Sequence, residues 1–482
     1  MNITRRHFLA ASGSALVLAG CDVNRFAPWT RPSTEPLLFG ALPETEAIDS
    51  SGHVLNRLTY GPRPGDYDRV RKFGVASFIE EQLAPAAIDD AECEWRVRRL
   101  EAIHAPAREM FEYKEDYLRE QLEQATMLRA VYSKRQLQEV MTGFWTDHLN
   151  IALSKGDCPW LKPSDDRDVI RRHALGQFSD LIRASALSPA MLWYLDGREN
   201  RKASAGDKPN ENYARELLEL HTLGVHGGYT QSDVMEVARC LTGWTVKGDD
   251  VWFGRGKVAF HPEWHDDGEK NVLGHQIPGG GGERDLDDVL DIVCNHPATA
   301  RHIAWKLARK FINAEAPEAA VVATADAFTQ SSGDIPTTLR ALFATDAFHN
   351  AAGQKFKRPL RFLVSALRAT AADINEGTAI LDYAMRMGHV PFQYPTPDGY
   401  PEEPAPWMGT LLWRWHFTDA FARNTVPGTS VNWAALRSAA GERDLLAAHL
   451  LGRVVSPPDV QLMNQSGHGP AALLASPAFQ RC

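Results

Sequence analysis

Apolar residues recurring at spacings of three and four run through most of this chain, and that period admits little besides packed α-helices. The pattern covers residues 64–83 and 91–103, a longer run at about 115–153, and segments near 165–185, 188–196, 210–223, 231–243, 285–295, 297–313, 316–330, 335–345, 358–371 and 407–423. Gly224 and Gly243 follow two of these segments as stops, and Pro297 and Pro359 suit first helical turns. One stretch breaks the period. Val251-Trp252-Phe253 and Lys257-Val258-Ala259-Phe260 flank Gly254-Arg255-Gly256, which predicts a β-hairpin over 245–260, and a long Gly/Pro-rich loop follows through Gly279-Gly280-Gly281-Gly282. The expected fold class is all-α: a single large helical body over 49–482, with one small hairpin and one long loop.

The N-terminus carries a different signal. Arg5 and Arg6 precede Phe8, Leu9 and a modest apolar run, the pattern of a twin-arginine (Tat-type) export signal over residues 1–21. The run is shorter than the 20 or so residues a bilayer span needs. It closes on Leu18-Ala19-Gly20-Cys21, a lipobox that marks Cys21 for lipidation. Residues 22–48 hold Pro28, Pro32, Pro36 and Pro43 in a polar, weakly patterned stretch, which reads as an extended tether. The expectation is export through the Tat translocon in a folded state, followed by attachment to the membrane on the periplasmic side of the envelope as a lipoprotein.

Composition narrows the partners. The 482 residues are 44% hydrophobic and 23% charged, an ordinary globular balance, with a net charge of −9 that becomes −11 once Arg5 and Arg6 leave with the signal. An acidic chain without a basic stripe is a poor fit to nucleic acid. Beyond Cys21, the cysteines at 93, 158, 240, 294 and 482 are scattered with no C-x-x-C, which excludes a zinc framework or a disulfide scaffold.

Residues 209–244 are the richest in chemistry. Asn210 is a natural N-cap, and at 100° per residue Asn212, Arg215, Glu216 and Glu219 share one stripe of the helix that follows. His221 lies about 140° from Glu216, so one metal held by both is unfavourable. The plain reading of the stripe is a solvated face with an Arg215–Glu219 pair. Thr230 and Asp233 form the pattern of a capping box for the next helix, whose Arg239 would meet the Glu stripe if the two helices make a hairpin.

Several ordered blocks now point one way. They are Asn210-Glu211-Asn212-Tyr213-Ala214-Arg215-Glu216-Leu217-Leu218-Glu219-Leu220, Gly228-Tyr229-Thr230-Gln231 and Ala238-Arg239-Cys240-Leu241-Thr242-Gly243-Trp244. Flanking them are His53-Val54-Leu55-Asn56-Arg57 with Tyr60-Gly61-Pro62, Phe144-Trp145 with His148, Ser188-Pro189-Ala190-Met191-Leu192-Trp193-Tyr194-Leu195-Asp196, His265-Asp266 with Lys270, His296-Pro297, Lys357-Arg358-Pro359 and Pro395-Thr396-Pro397-Asp398-Gly399-Tyr400-Pro401. From about residue 50 onward the chain resembles the bacterial domain-of-unknown-function family 1800. That resemblance implies no established activity. It implies an exported protein and, from the gene neighbourhood common in the family, a partner from family 1501, which resembles the alkaline phosphatase and sulfatase superfamily. The chain departs from the family in His53-Val54-Leu55-Asn56-Arg57-Leu58-Thr59-Tyr60-Gly61 and in a short glycine-rich segment near 275–285.

Two functions follow as expectations. The first is an accessory or partner-binding envelope protein. The second is a periplasmic hydrolase whose catalytic candidates are Glu211, Glu216, Glu219, Arg239 and His148, with Asn212, Arg215, Trp244 and Lys270 as substrate-binding candidates. A divalent metal would fall to His265 and Asp266, although Lys270 beside them favours an anion instead. His148 shares the apolar stripe of Leu137, Val140, Met141, Phe144 and Ile151, where a core histidine is the ordinary outcome. No G-x-S-x-G, H-E-x-x-H, phosphate-loop or dinucleotide motif is present.

Overall fold

Helix ends in this chain are written by its own side chains. Asp49 accepts the Gly52 N–H at the start of α1 (Ser50–Leu58), and the hydroxyl of Thr230 and the carboxylate of Asp233 exchange bonds with each other's backbone at the start of another helix, Gln231–Cys240. Pro297 and Pro359 occupy first turns, where their missing N–H costs nothing. The computed structural model describes residues 37–482 apart from 203, 205, 207, 249–253, 376, 442 and 466–468. Arg5, Arg6, Cys21 and most of the expected tether lie outside the described residues.

Helices make up most of the described structure, joined by three two-stranded antiparallel sheets. The 115–153 run is two helices, α2 (Glu115–Tyr132) and α3 (Gln136–His148). Asp90 ends the first of them: its carboxylate takes the Ser133 hydroxyl at 2.8 Å and the Lys134 N–H at 2.7 Å, drawing that backbone out of the helical ladder. α4 (Cys158–Asp165) runs directly into a π-helical turn, Asp166–Arg171. α5 (Asn212–Glu216) likewise widens into a π turn, Leu217–His221. α6 (Gln231–Cys240), α7 (Arg284–Cys294), α8 (Pro297–Phe311) and α9 (Pro359–Ala369) complete the framework of the site described below.

The expected hairpin is present. β1 (Trp244–Val246) pairs with β2 (Val258–Phe260), so Trp244 sits opposite Phe260, whereas Val251, Trp252 and Phe253 lie outside the described residues. The loop after it is not wholly irregular. It contains a second hairpin, β3 (Lys270–Val272) with β4 (His275–Ile277), turned by Leu273 and Gly274, both at positive φ. A third pairing joins β5 (Asp373–Ile374) to β6 (Thr429–Ser430).

Two hydrophobic clusters hold the helices together. One gathers residues from Val54 to Ala351, with Trp145, Phe178 and Phe311 fully buried; the other gathers α2, α9 and the C-terminal helices around Phe362, Phe417 and Phe421. Tyr60 packs against both. Cysteines 93, 158, 240, 294 and 482 are all buried and unpaired. Among the described residues no helix is long and apolar enough to cross a membrane.

Candidate functional site

A concavity lies where the two hydrophobic clusters meet. It is a cleft of about 820 Å³, the solvent at its mouth included, walled by α2, α3, the π turn after α4, α8, the start of α9 and the 389–402 segment. A smaller recess of about 350 Å³ shares Asp147, Tyr400 and Glu402 with it and adds Phe144, His148, Lys306, Arg309 and Asp398. Across the two, seven cationic side chains stand against five carboxylates. The lining is therefore positive in a chain whose own net charge is −9.

Each charge has a physical reason to be there. Arg358 pairs with Asp147 at 2.8 Å and faces Glu402 at 3.5 Å; Lys310 and Lys355 reach Glu402 at 3.3 and 2.6 Å. Burial opposes the charge of Glu402, yet Arg358, Lys310 and Lys355 overcome it and hold its carboxyl well below the usual carboxylate range. The guanidinium of Arg171 grips Glu139 (2.7 Å) and Asp166 (3.0 Å), and the two carboxylates outweigh its burial and raise its pKa. Burial, reinforced by Arg358, lowers Lys310 to about 8.

Lys306 differs from these. One turn before Lys310 on α8, it makes no hydrogen bond or ion pair among the described residues, and its partly buried side chain lines the recess. Desolvation lowers it to about 8 against the pull of Asp147.

Beneath the recess lie three imidazoles. His148 has His221 and His302 each at a ring separation of 6.2 Å. Its Nε2 meets the His221 carbonyl at 3.0 Å, while its Nδ1 and the His221 Nε2 are buried without partners. Burial drives His148 well below its ordinary value, His221 to about 3 and His302 to about 4, so all three are neutral at ordinary pH. Both π turns serve this region: one supplies Asp166 and Arg171, the other His221. A π turn inserts one residue into the helical ladder and re-aims the side chains after it.

The residues singled out from sequence divide between this region and a second cluster. His148 lines the recess; Glu216 is half-buried with no hydrogen-bond partner among the described residues, its pKa raised by burial and by Glu219 and Asp398. Arg215 reaches back to Glu211 at 3.0 Å instead of forward to Glu219, because the π turn carries Glu219 away to accept the Tyr229 hydroxyl. Gln231 bridges Glu211 and Arg215, so this face is an exposed polar lattice. Asn212 is tied to Leu195 O and Asp196.

Arg239 does not meet the Glu stripe. It pairs with Glu236 on its own helix and with Asp266, both at 2.8 Å, and Lys202 adds a second cation to Asp266 at 3.0 Å. Hydrogen bonding from Arg239 depresses the Asp266 carboxyl far below its ordinary value. Lys270 and His265 both converge on Asp285, all three fully buried, while His265 Nδ1 meets the Thr242 carbonyl at 2.9 Å. These groups are occupied by one another, and His265 and Asp266 face different partners. Among the described residues no group of three or more His, Cys, Asp or Glu side chains is placed to hold a metal ion. Trp244 packs against Phe260 on the hairpin with ring centroids 5.0 Å apart and planes tilted by 53°.

Sequence reasoning passed over Glu139, Arg171, Lys306, Lys310, Lys355 and Glu402. The signal was nonetheless present: the Phe144-Trp145/His148, Lys357-Arg358-Pro359 and 395–401 blocks, with Tyr60, all border the two cavities.

The molecule is a mostly α-helical body with a charged cleft where its two hydrophobic clusters meet. The family model of a protein of unknown function (DUF1800) matches residues 53–481, and the chain belongs to that family. No curated protein and no solved structure matches it.

Proposed function

We propose that this is an exported, lipid-anchored envelope protein with an accessory, partner-binding role, exercised by capturing an anionic group in the cleft between its two cores. The observation that carries the reading is the excess of cations over carboxylates across the cleft and its recess, with Lys306 making no ion pair there. A buried cation cluster in an acidic chain costs free energy that only a counter-anion or a structural role recovers. The paired cations serve structure; Lys306 serves none of the ion pairs. The family-1501 partner fits, because phosphatase and sulfatase chemistry concerns anions of this class. In this reading the body stands on the periplasmic side of the envelope, which the twin-arginine pattern at Arg5 and Arg6 and the lipobox ending in Cys21 support.

The hydrolase reading asks Glu216, Arg239, His148 and His265 to share one pocket. Of the four, only His148 borders the cavities described, and Arg239 and His265 belong to the separate cluster around Asp266 and Asp285. The accessory reading therefore stands in front.

Titration calorimetry with inorganic phosphate and with sulfate tests it. Saturable binding that weakens with salt and is lost in Lys306→Met supports the reading. Heats that do not saturate with either anion overturn it.

A further inference from the structure

The anion-capturing cleft contains one group whose chemistry exceeds simple binding. An amine becomes a nucleophile when it is desolvated, set beside other cations and left without an ion-pair partner. Lys306 is desolvated, stands beside Arg309 and has no ion-pair partner among the described residues. Its neighbours around the recess are Asp147, His148, Arg309, Asp398, Tyr400 and Glu402. Arg309 is engaged with the carbonyl of Ala314 and with Glu403, and Glu402 with Lys355, Lys310 and Arg358. Lys306 lines the recess with Asp147, Asp398 and Glu402 without an ion pair to any of them, beside a neutral imidazole whose Nδ1 has no partner.

The other lysines of the region are occupied. Lys310 and Lys355 are held by Glu402. Lys357, which burial lowers to about 7, is fully enclosed against the Phe479 ring and the Ser365 hydroxyl. Lys162 is sealed against Asp165. A low proton affinity is therefore shared by several lysines, and the open, unpaired position belongs to Lys306.

We propose that Lys306 is a reactive lysine that captures an anionic aldehyde or ketone, the ligand's carboxylate or phosphate resting against the cations of the cleft and its carbonyl carbon meeting Nζ. This rests on the anion-binding reading and names the ligand class. In the step, the Nζ lone pair forms the N–C bond as the carbonyl π pair moves to oxygen. The two amine protons then pass to that oxygen, through solvent or the adjacent carboxylates. Water leaves and a C=N bond remains, with no oxidant or reductant required. Because the neutral amine is the reactant, capture rises with pH through about 8.

The test is reductive trapping on the full folded protein with glyoxylate and cyanoborohydride at pH 7.5, followed by peptide mass mapping, with formaldehyde as the uncharged aldehyde. Lys306 is expected to be modified at least roughly tenfold faster than exposed lysines such as Lys114 and Lys134, given the difference in neutral fraction. The glyoxylate preference should exceed that of formaldehyde, and inorganic phosphate should protect. Lys306→Met should remove the fast-labelled peptide without lowering the unfolding midpoint, since a desolvated lysine of depressed pKa opposes folding at pH 7.5. Labelling of Lys306 at the rate of the exposed lysines with both aldehydes overturns the inference, even where calorimetry shows phosphate bound. Fast labelling by formaldehyde without any glyoxylate preference or phosphate protection overturns the anionic ligand class and the proposed function with it.

Discussion

Arg358 and Asp147 meet at 2.8 Å across the junction of the two hydrophobic clusters, tying the residue before α9 to the penultimate residue of α3. The pair is mostly buried, and Arg358 also faces Glu402 and donates to the Tyr400 carbonyl. It thereby fixes both walls of the cleft and the 395–401 loop.

Removing that guanidinium strands Asp147 and leaves Glu402 with Lys310 and Lys355. Arg358→Met should lower stability by about 3–5 kcal/mol, the usual cost of an uncompensated buried charge. Urea denaturation at pH 7.5 measures it. A loss below about 1 kcal/mol would show the pair to be solvated and the cleft walls to be independently stable.

Lys270 belongs to structure. With Asp285 and His265 fully enclosed, Lys270→Met should destabilise by about 3–5 kcal/mol, and the pair Lys270→Met/Asp285→Leu should recover much of that loss. Anion binding by calorimetry should be unchanged in any variant that stays folded. Loss of anion binding in the folded double variant would return Lys270 to the site.

Gly399 is required where it stands. Its φ is +73°, and an added Cβ would lie 2.0 Å from the Asp147 carbonyl oxygen, a backbone atom that cannot step aside. Gly399→Ala should cost roughly 3 kcal/mol from strain and overpacking. It should also weaken anion binding by shifting Tyr400, whose carbonyl holds Arg358 at the cleft wall. Thermal melts and the phosphate titration read the two effects separately.

Stability should fall with acid between pH 6.5 and 4. Burial holds His53 and His449 at about 4, below their ordinary 6.5, so the unfolded chain takes up protons first as the pH drops. Their contribution is complete above pH 6.5 and declines toward pH 4, by roughly 3 kcal/mol each. Glu123 acts in the opposite sense: burial raises it to about 7, so its contribution is present at low pH and lost as the pH rises through 7. Glu123→Gln should therefore stabilise the protein at pH 8 and be close to neutral at pH 4. Denaturation midpoints at pH 8, 6 and 4.5 check both signs.

Export and anchoring have their own test. Replacing Arg5 and Arg6 by Lys should hold the protein in the cytoplasm, and Cys21→Ser should move it from the membrane fraction to the soluble periplasmic fraction. Unchanged fractionation of the Cys21→Ser variant would remove the lipid anchor from the proposal.

Much of this was legible in the sequence because it is local. Spacing of apolar residues predicted the helices, Thr230 and Asp233 announced their capping box, and Pro297 and Pro359 their first turns. The break at Ser133 was not legible, since it depends on Asp90, more than forty residues earlier. Neither was the departure of Glu219 from the Arg215 stripe, because a regular 100° step cannot foresee a π turn. The pairing of Trp244–Val246 with Val258–Phe260 was not legible either, because by pattern Trp244 falls at the end of the preceding helix segment.

What the sequence by itself determined was the fold class, the family and the residue blocks that border the cleft. Only the tertiary structure decided which charges meet. Glu139, Arg171, Lys310, Arg358 and Glu402 come from five separate segments, and a charge pattern carries no information about burial. Desolvation, which separates Lys306 at its open recess from Lys270 in its sealed triad, exists only once the helices have packed and excluded water.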